Sequence, residues 1–234
     1  MGRPFLFCPP QAMYSCKEGA RESMNILLVD GHPDTDRYCS HLLDLYEAAL
    51  PAECTVTRIA VRDMAFTPNL AHGYRKRTEW EPDIADFAAK LDACDHVAFV
   101  FPMWWGAEPA MLKGLLDRLL LPGFTFAYHD DDTWWDRNMV GRSADVIITM
   151  DTPPIFLRLA YGNSIIKRWK GQILAFCGMK PVRILPLGQV KFGGAKKNAV
   201  KWSRKIEKLA RTVRQAEPGK KELRLQRFLD RKKT

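Results

Sequence analysis

The chain has 234 residues, 47% of them hydrophobic, which is enough for the buried core of one large α/β domain or two small ones. No apolar run is long enough to cross a bilayer, and the six cysteines form no C-x-x-C pair. We therefore expect no membrane span, no zinc site and no disulfide framework, as is typical of a cytoplasmic protein. The net charge of +9 raises the hypothesis of a nucleic-acid partner.

Three segments of different character divide the sequence. Residues 1–23 contain three prolines and no hydrophobic periodicity, which predicts a poorly ordered N-terminal extension. Residues 24–215 alternate strand-like and helix-like patterns and predict a single α/β domain. Residues 216–234 are rich in Lys and Arg and predict a loose basic tail.

The α/β region opens with an apolar run at Asn25–Asp30, which predicts a buried strand. A polar loop at residues 31–40 and a helix at residues 40–50 follow, and Pro51 ends this helix. A strand, a polar loop and a helix in this order direct backbone N–H groups at an anion. In the alternative interpretation, Asp and Ser side chains of the loop only cap the helix, and for a loop with one glycine this is the simpler reading.

A second strand at residues 55–59 and a helix at residues 81–94 lead to the most distinctive stretch. This stretch begins with an apolar strand that should end at Pro102, because proline cannot donate to a sheet ladder. Ligands of open α/β sheets bind outside the carboxyl ends of strands, where Trp104 and Trp105 could contact a flat conjugated ring. The alternative is that both tryptophans pack in a core or a subunit interface.

The second half of the chain continues the alternation of helices and strands. A helix is predicted at residues 109–120, a strand at 144–150, a helical stretch at 165–177, a strand at 182–187 and a helix at 195–214. Five strands alternating with helices predict a doubly wound parallel sheet with helices on both faces.

Three turns should gather at the carboxyl edge of this sheet, at residues 31–40, 102–106 and 149–154. A ligand site formed by such turns beside the first and third strands is the flavodoxin-like arrangement. The acidic run after His129 has no second histidine at ligand spacing, so we expect no metal site there.

Short motifs recur along residues 24–214 in a fixed order. They are Gly31-His32-Pro33, Phe66-Thr67-Pro68-Asn69-Leu70, Phe101-Pro102-Met103-Trp104-Trp105-Gly106, Pro109-Ala110-Met111-Leu112-Lys113-Gly114 with Asp117-Arg118, Pro122-Gly123-Phe124, Thr149-Met150-Asp151-Thr152-Pro153 and Phe176-Cys177-Gly178. In these motifs the chain resembles the flavodoxin-like NAD(P)H dehydrogenase (quinone) family, which includes NAD(P)H:quinone oxidoreductases and related flavin reductases.

The resemblance implies that residues 24–215 form a flavin-binding domain with noncovalent FAD, or FMN as in some members. It implies that NAD(P)H is the co-substrate and that a hydride passes through the flavin to a quinone or similar flat acceptor. It also implies a homodimer whose site lies between the subunits. Because the sequence offers one aromatic slot, at Trp104 and Trp105, and no second nucleotide motif, we expect donor and acceptor to alternate in it.

The resemblance also implies which residues meet the flavin. They are His32, Tyr38 and Cys39 near the phosphates; Pro102, Met103, Trp104, Trp105 and Gly106 along the isoalloxazine ring; and Thr149, Met150, Asp151 and Thr152 at its other edge. Family members often have Ser-Phe-Asn at positions 37–39, so the side-chain roles there do not transfer directly.

Three further predictions concern chemistry. Arg37 precedes a helix N-terminus and is predicted to pair with a flavin phosphate. The backbone N–H groups of residues 104 and 105 are predicted to stabilise negative charge that develops on the ring, which makes Trp105 a candidate catalytic residue. Tyr161 is a secondary candidate. Mammalian quinone reductases have a tyrosine and a histidine after the third turn that act as a charge relay, and this chain has Tyr161 there but no nearby histidine.

Two other functions stay open from the sequence alone. A flavin-bound electron carrier or regulatory subunit would need no turnover of its own, although carriers of this fold tend to be acidic. Nucleic-acid binding is not expected, because much of the positive surplus lies in residues 191–233, on a predicted solvated helix face and tail with few aromatic residues.

Overall fold

The computed structural model describes residues 23–191, 193–214, 216 and 220–230. Residues 1–22 of the predicted N-terminal extension lie outside the described residues. The strands are β1 (Asn25–Asp30), β2 (Thr55–Ala60), β3 (His96–Pro102), β4 (Phe126–Tyr128), β5 (Trp135–Arg137), β6 (Ser143–Thr149) and β7 (Val182–Leu187). The helices are α1 (Tyr38–Ala48), α2 (Pro82–Ala93), α3 (Ala110–Leu119), α4 (Pro154–Leu159), α5 (Ser164–Lys167), α6 (Ala175–Cys177), α7 (Gly194–Arg211) and α8 (Leu225–Asp230). A 3₁₀ turn lies at Val61–Asp63, and a π-helical stretch at Arg168–Leu174 joins α5 to α6.

Five of the strands form a parallel sheet in the order β2-β1-β3-β6-β7. This order confirms the predicted flavodoxin-like α/β fold. The chain winds outward in both directions from β1 and β3, so a crevice forms at the carboxyl ends of these two strands. The predicted ligand edge is therefore the edge at which the topology reverses.

Helices cover both faces of the sheet because successive strand residues point to opposite sides. From β1, Leu27 and Val29 join the core beneath α2 and α3, whereas Ile26 and Leu28 join the core beneath α1 and α7. Both faces of this strand are thus buried, as its continuous apolar sequence predicted. Among the described helices, none is both long and apolar enough to span a membrane.

The first and last long helices differ slightly from their predicted bounds. α1 begins at Tyr38 instead of residue 40, because Arg37 is the last residue with extended backbone (φ −103°, ψ 163°). α7 ends at Arg211 instead of residue 214, since Thr212 leaves the helical conformation and its hydroxyl donates to Lys208 O at 2.7 Å.

Short elements beside the sheet were not predicted. β4 and β5 form an antiparallel hairpin that pairs Tyr128 with Trp135, and α4 begins directly after Pro153. The strands have three residues each and the helix has six, which is too short for a hydrophobic period to stand out.

The prediction of a loose tail is wrong for the described residues 220–230. Two successive backbone N–H groups at the start of α8 donate to the buried carboxylate of Asp92 at 2.9 Å. Phe228 on α8 packs against Trp80 and Phe124, with ring centroids 4.8 and 5.5 Å apart. Because Asp92 lies just before β3, these contacts hold the segment at the amino-terminal edge of the sheet, opposite the predicted site.

Candidate functional site

The three predicted turns lie side by side at the carboxyl edge of the sheet. Gly31 N–H donates to Val100 O at 2.8 Å and so ties the turn after β1 to β3. Met103 N–H donates to Thr149 O at 2.7 Å and ties the turn after β3 to β6. Gly31 has no room for a side chain, because a Cβ there would lie 2.6 Å from Leu112 Cδ2. The turns therefore form one surface at the position where ligands bind in open α/β sheets.

A buried carboxylate shapes the turn after β1. Asp30 accepts hydrogen bonds from Ser40 Oγ at 2.6 Å and from His32 N–H at 3.0 Å. Arg62 Nη1 donates to the same carboxylate at 2.7 Å, which compensates its buried charge. The sequence offered no motif that would link Asp30 to Arg62, so neither was among the predicted site residues.

His32 connects the first turn to the second. Its Nδ1 accepts a hydrogen bond from Asp34 N–H at 3.0 Å, and its ring meets Trp104 edge-on with centroids 5.7 Å apart. Burial lowers the pKa of His32 below its ordinary value, which favours the neutral imidazole. Neutral His32 therefore lies between the start of α1 and the aromatic turn.

The N-terminus of α1 lies at the same edge. The first turn of α1, which lies within the described residues, contains no acidic residue. The side chain of Arg37, at the N-cap position, makes no capping hydrogen bond to the helix. The first N–H groups of a helix have no carbonyl partner within the helix, so this end attracts an anion. Arg37 itself pairs with Asp34, its side chain is 56% exposed, and its hydrogen bond lowers the pKa of Asp34.

The side chains of the next two residues face inward. Tyr38 packs against Trp202 of α7 with ring centroids 6.1 Å apart. Cys39 is buried with its Sγ 3.7 Å from Thr149 Oγ1, and burial raises the pKa of this thiol to about 12. The backbone N–H of Cys39, and not its side chain, is therefore the group that can reach a phosphate.

Trp105 lies at the tip of a tight turn. Trp104 N–H donates to Ala107 O at 2.8 Å and Ala107 N–H donates back at 2.9 Å, so Trp105 and Gly106 are the two central residues. Both have positive φ, 52° and 78°, as in a type I′ turn. The Trp105 side chain is fully exposed and free to meet a ligand.

The hydrogen bonds of this turn correct one prediction. Because Trp104 N–H is used inside the turn, it cannot also stabilise charge on a ligand, and the prediction of two such N–H groups is wrong for residue 104. The N–H of Trp105 remains a candidate. Before the turn, Pro102 is buried at the end of β3 and Met103 is half-buried.

Glu108 follows the aromatic turn and was not predicted as a site residue. Its carboxylate is fully buried and receives two hydrogen bonds from the guanidinium of Arg168, through Nη1 at 3.1 Å and through Nη2. Trp169 Nε1–H donates to Glu108 Oε2 at 3.0 Å. An acid directly before Pro109 in an otherwise apolar stretch is the signal that could have drawn attention to this position.

The turn after β6 carries the other predicted flavin contacts. Thr149 and Met150 are buried, and Met150 N–H donates into the end of β7 at 2.9 Å. Asp151 is exposed and accepts a hydrogen bond from Lys191 N–H at 2.9 Å, while Thr152 is half-buried. Asp151 and Thr152 are thus the residues of this turn whose side chains can reach a ligand.

Tyr161 lies beyond α4 in an exposed apolar cluster, made up of Ile155, Phe156, Leu159 and Tyr161. Its ring is 57% exposed and meets Phe156 edge-on at 5.5 Å. Within the described residues, no hydrogen bond or ring contact joins Tyr161 to the aromatic turn, so its catalytic role stays a prediction.

A cavity of about 320 Å³ lies between α3, the β4–β5 hairpin and the π-helical stretch. The rings of Tyr74, Tyr128 and Phe176 line it, and Arg168 reaches it from the side of Glu108. Sequence patterns could not predict this cavity, because its walls come from segments far apart in the chain.

Comparisons with known proteins agree with this architecture. The chain is 29% identical over 140 residues to NAD(P)H dehydrogenase [quinone] 1 of Rattus norvegicus, which covers 56% of this chain and 50% of the rat protein. The chain spans between 28% and 57% of the length of three curated relatives that it matches.

Solved structures match over a larger share of the chain. The crystal structure of Smu.1420 from Streptococcus mutans UA159 has a TM-score of 0.70 at 27% identity and covers 81% of this chain and 100% of its own. An FMN-dependent NADH-azoreductase from Bacillus anthracis, solved in complex with FMN, has a TM-score of 0.62 at 16% identity and covers 80% of this chain and 97% of its own, which shows likeness of fold alone.

The family model described as Flavodoxin-like fold matches residues 24–212, which include the whole parallel sheet and the three turns at its carboxyl edge. The chain therefore belongs to the Flavodoxin-like fold family.

Proposed function

We propose that this protein is a flavin-dependent NAD(P)H oxidoreductase that passes a hydride from NAD(P)H to a quinone or similar flat acceptor. The observation that carries the proposal is the exposed Trp105 turn, set between the N-terminus of α1 and the turn after β6. The similarity to a rat NAD(P)H dehydrogenase [quinone] supports the reaction class.

The residues present fit a flavin. The first turn of α1 offers backbone N–H groups and a helix dipole to a phosphate, with no acidic side chain in that described turn. Trp105 offers an exposed aromatic face to the ring, and Asp151 and Thr152 lie at the far side of the surface. FAD is implied by the sequence resemblance, whereas the similar azoreductase from Bacillus anthracis was solved with FMN.

A bound flavin would supply the redox chemistry, and the protein would bind, orient and tune it. The N–H of Trp105 would donate to an oxygen or nitrogen at the ring edge where negative charge develops. Neutral His32 would hold the two turns together without adding a positive charge beside the ring. Trp105 would cover one face of a slot that admits one flat molecule at a time.

The first experiment identifies the cofactor and the reaction. Purified protein is denatured, and the mass of the released cofactor is measured by mass spectrometry, which distinguishes FAD from FMN. The holoprotein is then mixed anaerobically with NADH or NADPH, and the loss of flavin absorbance is followed. Failure to bind either flavin at micromolar concentration would refute the proposal. Binding without bleaching would favour an electron carrier or a regulatory subunit.

Steady-state kinetics test the single slot. Because donor and acceptor would alternate, double-reciprocal plots against both should be parallel. Trp105→Ala should impair both half-reactions, since losing an aromatic contact costs about 1 kcal/mol beyond the area buried. Val200→Ala, which shortens an exposed apolar side chain on α7, is the control. Intersecting plots would show two separate sites.

The homodimer is part of the proposal. In the apolar cluster on and after α4, the side chains of Ile155 and Leu159 are 69% and 77% exposed. Contact between water and a contiguous apolar patch is unfavourable, and such patches often mark protein–protein interfaces. We infer that a second copy covers this cluster beside the site. Analytical ultracentrifugation should give twice the chain mass of 26.8 kDa, and Leu159→Lys should shift it toward one chain mass.

A further inference from the structure

We propose that Glu108 is a positioning residue, which holds the Trp105 turn in its reactive geometry through Arg168 and Trp169. The inference rests on the proposed function and adds a residue that none of the sequence motifs assigned a role. We expect that, once Glu108 is replaced, the Trp105 side chain no longer contributes to kcat although the flavin still binds.

The Trp105 turn needs an external anchor because it is strained and carries its aromatic side chain in solvent. A bulky residue with φ of 52° occupies a conformation that L-residues rarely adopt and that persists only where the surroundings enforce it. The exposed Trp105 side chain contributes little packing, and a Cβ on Gly106 would meet no atom within 4 Å. Apart from the two hydrogen bonds between Trp104 and Ala107, the contacts that hold the turn in place therefore come from its two ends.

Each end of the turn is fastened to a different element. On the amino side, Met103 N–H donates to Thr149 O at 2.7 Å and joins the turn to β6. On the carboxyl side, the buried Glu108 carboxylate binds the π-helical stretch through Arg168 and Trp169. π-helical stretches occur often at functional sites, and this one presents two consecutive donors to one carboxylate.

The anchor continues into the core. Trp169 is fully buried and packs on Phe101 of β3, with ring centroids 4.6 Å apart. The turn, the π-helical stretch and the central strand are thus joined by one continuous set of contacts. A carboxylate suits this role because its two oxygens accept hydrogen bonds from both Arg168 and Trp169. In Glu108→Gln one of these oxygens becomes an N–H₂ group, which is itself a donor and cannot accept from either residue.

The test is a kinetic double-mutant cycle between Glu108→Gln and Trp105→Ala. If Glu108 positions Trp105, Glu108→Gln should lower kcat by about as much as Trp105→Ala does in the wild type, which is about fivefold. Trp105→Ala should then add a loss of less than about twofold in the Glu108→Gln background, because the coupled contact is already lost. The flavin content per chain should equal that of the wild type.

The control is a buried acid–arginine pair at the opposite edge. Asp92 pairs with Arg142 at 3.1 Å, and both side chains are at least 95% buried. Asp92→Asn should destabilise the fold, but the full effect of Trp105→Ala on kcat should persist in that background. Multiplicative effects in the Glu108 cycle, as in the Asp92 cycle, would overturn the proposal, since Glu108 would then be structural only.

A second measurement separates this inference from the proposed function. In protein that contains fluorinated tryptophan, the fluorine resonance of Trp105 is assigned with Trp105→Phe, with or without flavin. Glu108→Gln, or the milder Arg168→Lys if the first variant does not fold, should shift or broaden that resonance, and Asp92→Asn should not. An unchanged resonance refutes positioning by Glu108, and absent flavin reduction in wild type refutes only the proposed function.

Discussion

Phe228 anchors the C-terminal segment, and its removal should destabilise the protein measurably. The side chain is 4% exposed, its ring lies near Trp80 and Phe124, and the guanidinium of Arg77 stands 3.8 Å above it. Core Phe→Ala substitutions cost about 3–5 kcal/mol. Because α8 has only six residues, the segment can detach as a unit, which limits the loss to the lower end of that range.

Urea unfolding of Phe228→Ala checks this value. With an m-value of about 3 kcal/mol/M, a loss of about 3 kcal/mol lowers the midpoint by about 1 M. Trypsin should also cut faster after Lys221, whose amine pairs with Asp95 when the segment is docked. Leu223→Ala, 63% exposed in the same segment, is the matched control. Equal midpoints for the two variants would show that the segment contributes nothing to the folded core.

Three further predictions concern single residues. Trp105→Gly should be more stable than Trp105→Ala by about 0.5–1 kcal/mol in urea unfolding, because glycine relieves the positive φ of 52° while the exposed indole loses no burial; a less stable glycine variant would contradict this. The carboxylates of Asp136 and Asp132 accept hydrogen bonds from the His129 ring and raise the pKa of His129. While these carboxylates are ionised, their stabilisation is complete below pH 6.5 and is lost as pH rises through the raised value, and Asp136→Asn should lower the pKa of His129 measured by NMR titration. Arg37→Ala should raise the dissociation constant of the flavin about tenfold or more, whereas Asp34→Asn, which frees the Arg37 guanidinium, should not. Equal dissociation constants for Arg37→Ala and the wild type would show that Arg37 is only a solvated partner of Asp34.

The fold was predictable because its main signals are local. The strand at residues 97–101 is apolar throughout and ends at Pro102, and β3 ends at the same proline. Each long helix carries an apolar stripe, and the alternation of strand and helix implies parallel order. The hairpin β4–β5 and the helix α8 escaped prediction because three to six residues contain too little periodicity to distinguish.

The candidate site was predictable only in part. Three turns at strand ends could be read from the order of elements, since the carboxyl ends of parallel strands meet at one edge. The pairing of Glu108 with Arg168 spans 60 residues, and that of Asp30 with Arg62 spans 32, so no local pattern could reveal either. Likewise, the use of Trp104 N–H inside its own turn follows from backbone angles that residue types alone do not fix.

Two buried acid–arginine pairs of similar chemistry lie at opposite edges of the sheet, and their surroundings predict different consequences. Asp92 also accepts backbone N–H groups from α8, so its charge stabilises the docking of a segment that is far from the turns. Glu108 instead joins a strained, solvent-exposed turn to the core through Trp169. The turn itself has little other packing to hold it in place. Removal of a partner from either pair should cost stability, because a buried charge is left uncompensated. Only at Glu108 should the loss also change how Trp105 meets a ligand, because only there does the anchored element carry a candidate catalytic residue.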